Sequence, residues 1–245
     1  MAHKFVVVIP SYNNESFCEK NLLSALTQDY GNFRILFTDD RSSDNTFAVA
    51  RSVSKQYPNI RSTLIKNRRR CGAMANFYTM ISSCAKDEIV VVLDGDDWLA
   101  HPNVLKRLAQ EYDKGVWTTY GQYQSSSNGD IGPSKTIPDE VIEKNSFRRY
   151  QWCSSHLRTF YAGLFQKINI QDFKVFGKFL PMTCDLAMMF PILEMSGKNQ
   201  AYIDDILYIY NDDTPLNDYK VNRDMQINLE KYIRSKVPYA PIANF

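Results

Sequence analysis

Several common signatures are missing from this chain, and each absence narrows what it can be. The five cysteines, at positions 18, 71, 84, 153 and 184, are odd in number and show no C-x-x-C spacing. That excludes a zinc knuckle and a disulfide framework and fits a reducing compartment. No sign of charge dominates: 29 Lys and Arg face 27 Asp and Glu, a formal net charge of +2, so general affinity for nucleic acid is not expected. The one basic run, residues 66–70, lacks the interleaved aromatics of a nucleic-acid patch. No apolar run is long enough to span a bilayer. Residues 5–9, stopped by Pro10, are a strand-length run and not the core of a signal peptide. The expectation is a soluble, cytoplasmic protein with no transmembrane segment. Glycine-rich phosphate loops are missing too. No G-x-G-x-x-G follows the first apolar run and there is no Walker lysine loop, so any phosphates would be held by a metal and side chains.

What is there centres on residues 89–99. The run Ile-Val-Val-Val-Leu has strand length and no alternation, which suits a strand buried on both faces. It ends abruptly in Asp94-Gly95-Asp96-Asp97-Trp98. In an open α/β sheet, ligands sit outside the carboxyl ends of the strands. Asp94 and Asp96, two apart, face the same side of extended chain and suit Mg²⁺ or Mn²⁺ carrying a substrate's phosphates. An acidic turn is the plain alternative, but three carboxylates at a buried strand end repel one another unless something cationic is present. Before this point the pattern runs strand, helix, strand, helix: strands at 5–9, 34–38 and 61–65, with helices between them. Ser16 with Glu19 has capping-box spacing and Gly31 is placed to close the first helix; Ser43 is the candidate cap of the second. Pro102 sits at a plausible first position of the helix after the acids. Residues 1–115 therefore predict a parallel, doubly wound sheet with helices on both faces.

The alternation breaks after Gly115. Residues 116–123 read as one more strand. Residues 125–138, polar and glycine-bearing, read as a loop or mobile active-site flap. Residues 139–182 are aromatic and without a clear period. Thr183 is a candidate cap for an apolar helix that Pro191 should kink and Gly197 should end. Residues 202–210 form a last strand, followed by a helix and a loose tail. Every strand end in the first half carries polar residues: Pro10, Tyr12 and Asn14; Asp39 and Asp40; Asn67 and Arg70; then the acids. Arg70 is a candidate phosphate or base contact. His156, within Ser-Ser-His-Leu-Arg (154–158), is a candidate third metal ligand, the stretch a candidate phosphate contact, and a core histidine is the plain alternative.

The segments Val-Val-Ile-Pro-Ser-Tyr-Asn-Asn (7–14), Phe-Thr-Asp-Asp-Arg-Ser-Ser-Asp-Asn-Thr (37–46), residues 67–76 and Leu-Asp-Gly-Asp-Asp-Trp (93–98) together resemble the GT-A glycosyltransferases of family 2, over about residues 5–115. The resemblance implies an inverting transferase using a nucleotide-activated sugar, commonly a UDP-sugar, with Mn²⁺ or Mg²⁺. Carried over by position, Pro10, Tyr12 and Asn14 line the nucleoside site and Asp40 binds the base. Asp94 and Asp96 are the D-x-D pair contacting ribose, metal and diphosphate, with Asp97 close by. Arg41 stands where the family usually has glycine. Asp185, leading the apolar helix, matches the second acidic motif and is the candidate general base. The acceptor would be a glycan, lipid or protein hydroxyl. On this reading residues 1–115 are the nucleotide-sugar half of one domain, 116–220 the acceptor and catalytic half, and 221–245 a C-terminal helix and tail. A nucleotidyltransferase of related fold, and a sugar-nucleotide-binding protein without turnover, are the alternatives.

Overall fold

The computed structural model describes residues 2–213 and 222–244. Strand β1 (Lys4–Ser11) is buried along all but its first residue. Its alternate side chains feed two separate cores: Phe5, Val7 and Ile9 on one face, Val6 and Val8 on the other. This is why the run shows no polar alternation; both faces are covered. Around it the first half forms helix α1 (Glu15–Leu26), β2 (Phe33–Asp39), α2 (Thr46–Lys55), β3 (Arg61–Lys66), α3 (Ala73–Ser82) and β4 (Glu88–Val92). β2 and β4 flank β1 in parallel register, Phe5 opposite Phe33 and Lys4 opposite Glu88. The order β3-β2-β1-β4 reverses direction between β1 and β4. A crevice at the carboxyl ends of those two strands follows from that switch.

The second half extends the sheet differently. β5 (Trp98–Leu99), α4 (Val104–Tyr112), β6 (Thr118–Ser125), α5 (Asp139–Glu143), β7 (Thr159–Tyr161), α6 (Ala162–Phe165), the hairpin β8 (Lys174–Val175) and β9 (Lys178–Phe179), α7 (Cys184–Ser196) and β10 (Gln200–Tyr210) follow in order. β7 lies antiparallel between β4 and β6, and β10 runs parallel to β6 and antiparallel to β5. The sheet thus remains mostly parallel, as expected, with an irregular second half. A C-terminal helix (Arg223–Arg234) packs beyond it.

Several local expectations are corrected. Ser16 lies inside α1, whose N-cap is Asn14, and α2 is capped at Asn45, not Ser43. The residues with capping spacing are spent between loops: Ser43 donates to Asn13, Asn45 to Glu15, and the Asn14 N–H to Thr46 Oγ1 at 2.8 Å. α1 stops at Thr27, whose N–H and hydroxyl both reach the Leu23 carbonyl, four residues before Gly31. Pro102 precedes α4 by two residues and its carbonyl accepts from Asp29. α7 runs continuously through Pro191, and its cap Thr183 sits at φ +59 with its hydroxyl on the Met182 carbonyl. Loop 125–138 is tied at its start, where Ser125 and Ser127 donate to Asp212.

The tail is not loose. The Tyr239 N–H donates to Glu194 at 2.9 Å, its hydroxyl to Asp172, and the Ile242 N–H to the Met195 carbonyl. Glu194, fully buried in α7, is held by both guanidinium arms of Arg148 at 2.6 and 2.9 Å. Such a pair stands in the interior only when its remaining bonds are also filled, and the tail fills one of them. The part of the tail and acceptor half at 214–221 lies outside the described residues.

Candidate active site

The acid loop is positioned from beneath by α1 and from the side by β1. Asn21, fully buried, donates through one amide nitrogen to the carbonyls of Asp94 (2.8 Å) and Asp97 (2.7 Å). Gly95 presses against the β1 loop so closely that a Cβ there would stand 2.7 Å from the Pro10 carbonyl and 2.8 Å from Ser11 Oγ and Asn14 Nδ2. Glycine is required at this position by close approach, not by its backbone angles. Pro10 and Asn14 are therefore the wall against which the acids are set. Asn14 is buried and its amide donates to Ser11.

Three of the acids behave differently. Asp97 is almost fully buried. Its carboxylate accepts from the Tyr208 hydroxyl at 2.5 Å and from the Asn211 N–H at 2.7 Å. Burial, followed by the charges of Asp96 and Asp94, pushes its pKa well above the usual carboxylate value. Asp94 is a third exposed, and its Oδ2 is met by His156 Nε2 and Arg158 at 3.3 Å and by Tyr208 at 3.4 Å. Burial opposes its charge, but His156 and Arg158 outweigh that and hold its pKa below the ordinary value. Asp96 is half-buried beside them. His156 stacks on Tyr208 with centroids 4.4 Å apart. Burial, then the charge of Arg158, lowers its pKa, which keeps the imidazole neutral and able to ligate.

Asp94, Asp97 and His156 each offer one ligand atom, and these lie within 4.8 Å of one another. Two hard oxygens with one imidazole nitrogen suit Mn²⁺, and Mg²⁺ less closely. The neighbouring charges of Asp96 and Asp94, which add to burial in raising the Asp97 pKa, are what a divalent cation would relieve, so the donor set fits one. Across the crevice, Asp185 stands in the first turn of α7. Arg158, buried, spans the gap with one arm 3.3 Å from Asp94 and the other 3.4 Å from Asp185. Its Nε is buried with no hydrogen-bond partner.

The neighbouring strand end is closed. Asp40 is buried, and its carboxylate accepts from Asn67 Nδ2, the Cys71 N–H and the Gly72 N–H, all at 2.8 Å. Asn67 also donates to Asn76. Asp40 thus ties down the loop that carries Arg70. The Arg70 guanidinium lies over the Tyr12 ring, 3.9 Å from its centroid, so these two residues meet across two loops. Arg41 sits at φ +63. The backbone keeps the left-handed turn that glycine would adopt freely, at a cost of about 1–2 kcal/mol, and the side chain reaches the Arg68 carbonyl.

The structure therefore brings the expected residues together in two groups. Asp94, Asp97 and His156 form one, with Asp96 in the same loop but not among the converging ligand atoms, and it is linked to Asp185 through Arg158. Tyr12, Asp40, Asn67 and Arg70 form the other, with Pro10 and Asn14 between. Tyr208, Asn211 and Asn21 were not singled out from sequence, and Arg158 only as part of its stretch. Tyr208 sits within an aliphatic-aromatic strand that reads as core, and nothing local sets it apart. A cleft of about 620 Å³ opens beside the acids, lined by Trp98, Lys20, Gln124 and Asn211 among others.

The family model described as glycosyl transferase family 2 matches residues 6–173. The GalNAc(5)-diNAcBac-PP-undecaprenol beta-1,3-glucosyltransferase of Campylobacter jejuni is 29% identical over 143 residues, 58% of this chain and 45% of that protein. The UDP-Glc:alpha-D-GlcNAc-diphosphoundecaprenol beta-1,3-glucosyltransferase WfgD of Escherichia coli is 28% identical over 137 residues, 55% of this chain and 51% of that one. The chain spans about half the length of these relatives. Among solved structures, S. aureus TarS 1-349 in complex with UDP-GlcNAc superposes with TM-score 0.66 at 19% identity, covering 86% of this chain and 59% of that one. The mannosyltransferase PcManGT of Pyrobaculum calidifontis, in complex with GDP-Man and Mn²⁺, gives TM-score 0.64 at 17% identity, covering 98% and 66%. These likenesses carry the GT-A type fold.

Proposed function

The chain belongs to glycosyl transferase family 2, and from that premise we propose that it moves a hexose from a nucleotide-activated donor, a UDP-sugar, to an acceptor hydroxyl with inversion at the anomeric carbon. The observation that carries this reading is the placement of Asp94 and Asp185 on either side of buried Arg158 at the sheet's switch point. One carboxylate serves the donor end and the other the acceptor end. The family match goes against the nucleotidyltransferase alternative. The two beta-glucosyltransferase relatives, named for lipid-linked glycan substrates, favour a glycan or lipid acceptor.

In this mechanism Asp185 takes the proton of the acceptor hydroxyl as its oxygen bonds to the anomeric carbon. The bond from that carbon to the diphosphate oxygen breaks with its electron pair, and the nucleoside diphosphate departs. Tyr12 and Arg70 hold the nucleoside side. Arg158 orients Asp185 and presents a fixed positive charge to the departing diphosphate, which needs no reorganisation at the moment of reaction. Mn²⁺ or Mg²⁺ would be held by Asp94, Asp96, Asp97 and His156, and when bound supplies Lewis-acid neutralisation of the leaving group. The base stands outside the metal-ligand group, free to face the acceptor.

The test is release of nucleoside diphosphate across a panel of sugar nucleotides, with and without chelator. UDP-sugars should turn over and chelator should stop them. In calorimetry Mn²⁺ should strengthen UDP binding, and Asp96→Ala should remove that gain. Equal affinity with and without the ion would end the metal reading. Tight UDP binding with no release from any donor would leave a binding protein.

A further inference from the structure

The β8–β9 hairpin is a ladder of two residue pairs, Lys174 with Phe179 and Val175 with Lys178. Its turn holds Phe176 and Gly177 at φ +50 and +75. Phe176 is 99% exposed. A Cβ disfavours the left-handed region, and an exposed ring forgoes the roughly 2 kcal/mol that burial supplies. Neither backbone preference nor packing accounts for a phenylalanine here. The stem, by contrast, is anchored. Phe173 is fully buried and stacks on Phe165 at 4.9 Å, while Tyr78 meets Phe173 and Phe179 at 6.1 and 5.6 Å. The hairpin is an aromatic side chain carried on a fixed support.

The C-terminal helix leans on the same support. Tyr232 donates to the Lys174 carbonyl at 3.2 Å and Lys236 to the Gln171 carbonyl at 3.2 Å. Tyr232 and Met225, seven residues apart and so on one helix face, are 38% and 41% exposed, and Val237 just beyond is 84% exposed. Residues 167–178 and 222–237 hold seven Lys and Arg against three acids, in a chain whose net charge is only +2. Two of those acids are already matched, Asp172 by Lys236 and Glu230 by Arg234. Around the tip, residues 173–180 contain no acid at all.

We propose that this hairpin, with the adjoining end of the C-terminal helix, docks the protein on an anionic lipid bilayer. Phe176 inserts at the boundary of head groups and acyl chains, and Lys174, Lys178 and Lys231 meet the lipid phosphates. A lone ring projecting between lysines fits a fluid that closes around it, whereas a protein partner would need a preformed pocket at that spot. Each basic residue near such a surface adds modestly to binding, and several together with one apolar insertion give stable but reversible attachment. Attachment is peripheral in this account, since among the described residues no helix is long and apolar enough to cross a membrane. The stem continues through Leu180 into α7, whose second residue is Asp185. The inference stands independently of the reaction proposed above.

The full chain is to be sedimented with phosphatidylcholine vesicles and with vesicles that also contain phosphatidylglycerol. Binding to the anionic vesicles, weakened by added salt, is expected, with Phe176→Ala reducing affinity by roughly tenfold and Lys174→Glu/Lys178→Glu by more. Phe176→Trp should show a blue-shifted emission, relative to wild type, on anionic vesicles only. Unchanged melting temperatures would show that the variants are folded. Equal sedimentation of wild type and Phe176→Asp, or a Phe176→Trp emission indifferent to vesicles, would overturn the proposal. So would a concentration-dependent dimer, with no vesicle binding, that Phe176→Asp dissolves; the face would then join two copies of this chain.

Discussion

At the amino edge of the central sheet, Arg34 reaches Glu88 through two bonds of 2.6 and 2.8 Å, and Lys4 meets Asp87 at 2.7 Å. At the carboxyl edge, Arg158 stands 3.3 Å from Asp94 and 3.4 Å from Asp185, while His156 and Tyr208 compete for the same Asp94 oxygen. Both edges bring acids and bases from different elements together. The amino edge pairs them one to one at short range, which closes strand ends. The carboxyl edge leaves them at long range, with Asp94 shared among three partners and Arg158 between two acids, and such contacts exchange readily for those of an incoming ligand. Asp40 is the instructive mixture. It lies at the carboxyl edge but, with three bonds at 2.8 Å to one loop, is tied as closely as anything at the other end.

The largest effect that would sharpen this contrast is expected at Asp185. Asp185→Asn keeps the size of a side chain whose ion pair with Arg158 is long, at 3.4 Å, so melting temperature and UDP affinity should hold. Transfer should fall about 10²- to 10⁴-fold, as for loss of a general base. Near-normal turnover would make Asp185 a helix-end residue and move the base elsewhere.

Next is Asp40→Ala, which leaves the Cys71 and Gly72 N–H groups without their acceptor. A loss of about 2–4 kcal/mol is expected, or roughly 5–15 °C in melting temperature for a chain of this size, read by urea and thermal unfolding. Full stability with altered nucleotide preference would instead move Asp40 to the ligand-facing class and break the comparison.

The smallest effect is expected at the amino edge. The bond from Arg34, against the opposing effect of burial, holds the Glu88 pKa below the ordinary glutamate value. A lowered folded pKa contributes stability that is present above the unfolded value and lost as pH falls through the folded one. Glu88→Gln should cost about 1–2 kcal/mol near neutral pH, between exposed and fully buried pairs. That difference should vanish in acid, with turnover untouched. A drop in turnover at constant stability would show the two edges to be coupled.

The first half was legible because its information is linear. Asp94 to Trp98 sits within a few residues of the strand that presents it, and β1 and β4 announce themselves as unbroken apolar runs. Even the left-handed turn at Arg41 was marked by the glycine it replaces. The helix caps misled because Ser16 and Ser43 have the right spacing, yet the polar residues around them bind another loop about thirty positions away. His156 and Arg158 enter from the irregular segment just before β7, where no period can show. The tail reads as polar and proline-rich, and partners remote in sequence, Asp172, the Met195 carbonyl and the buried Arg148–Glu194 pair, give it a place. Asp185 stands out in the sequence because it leads an apolar run, and the structure places it in the first turn of α7.

Tyr208 has one consequence for the order in which the molecule is made. Its hydroxyl touches both Asp94 and Asp97, 114 and 111 positions earlier in the chain. β10 must insert beside β6 and take up β5 before that contact can exist. During synthesis the acids leave the ribosome roughly 6–23 s before the tyrosine that locks them, at about 5–20 residues per second. The first four strands are free to pair in that interval, while the acid cluster stays incomplete. The nascent chain therefore carries much of its sheet before the acid cluster is complete, and it completes that cluster in one late step.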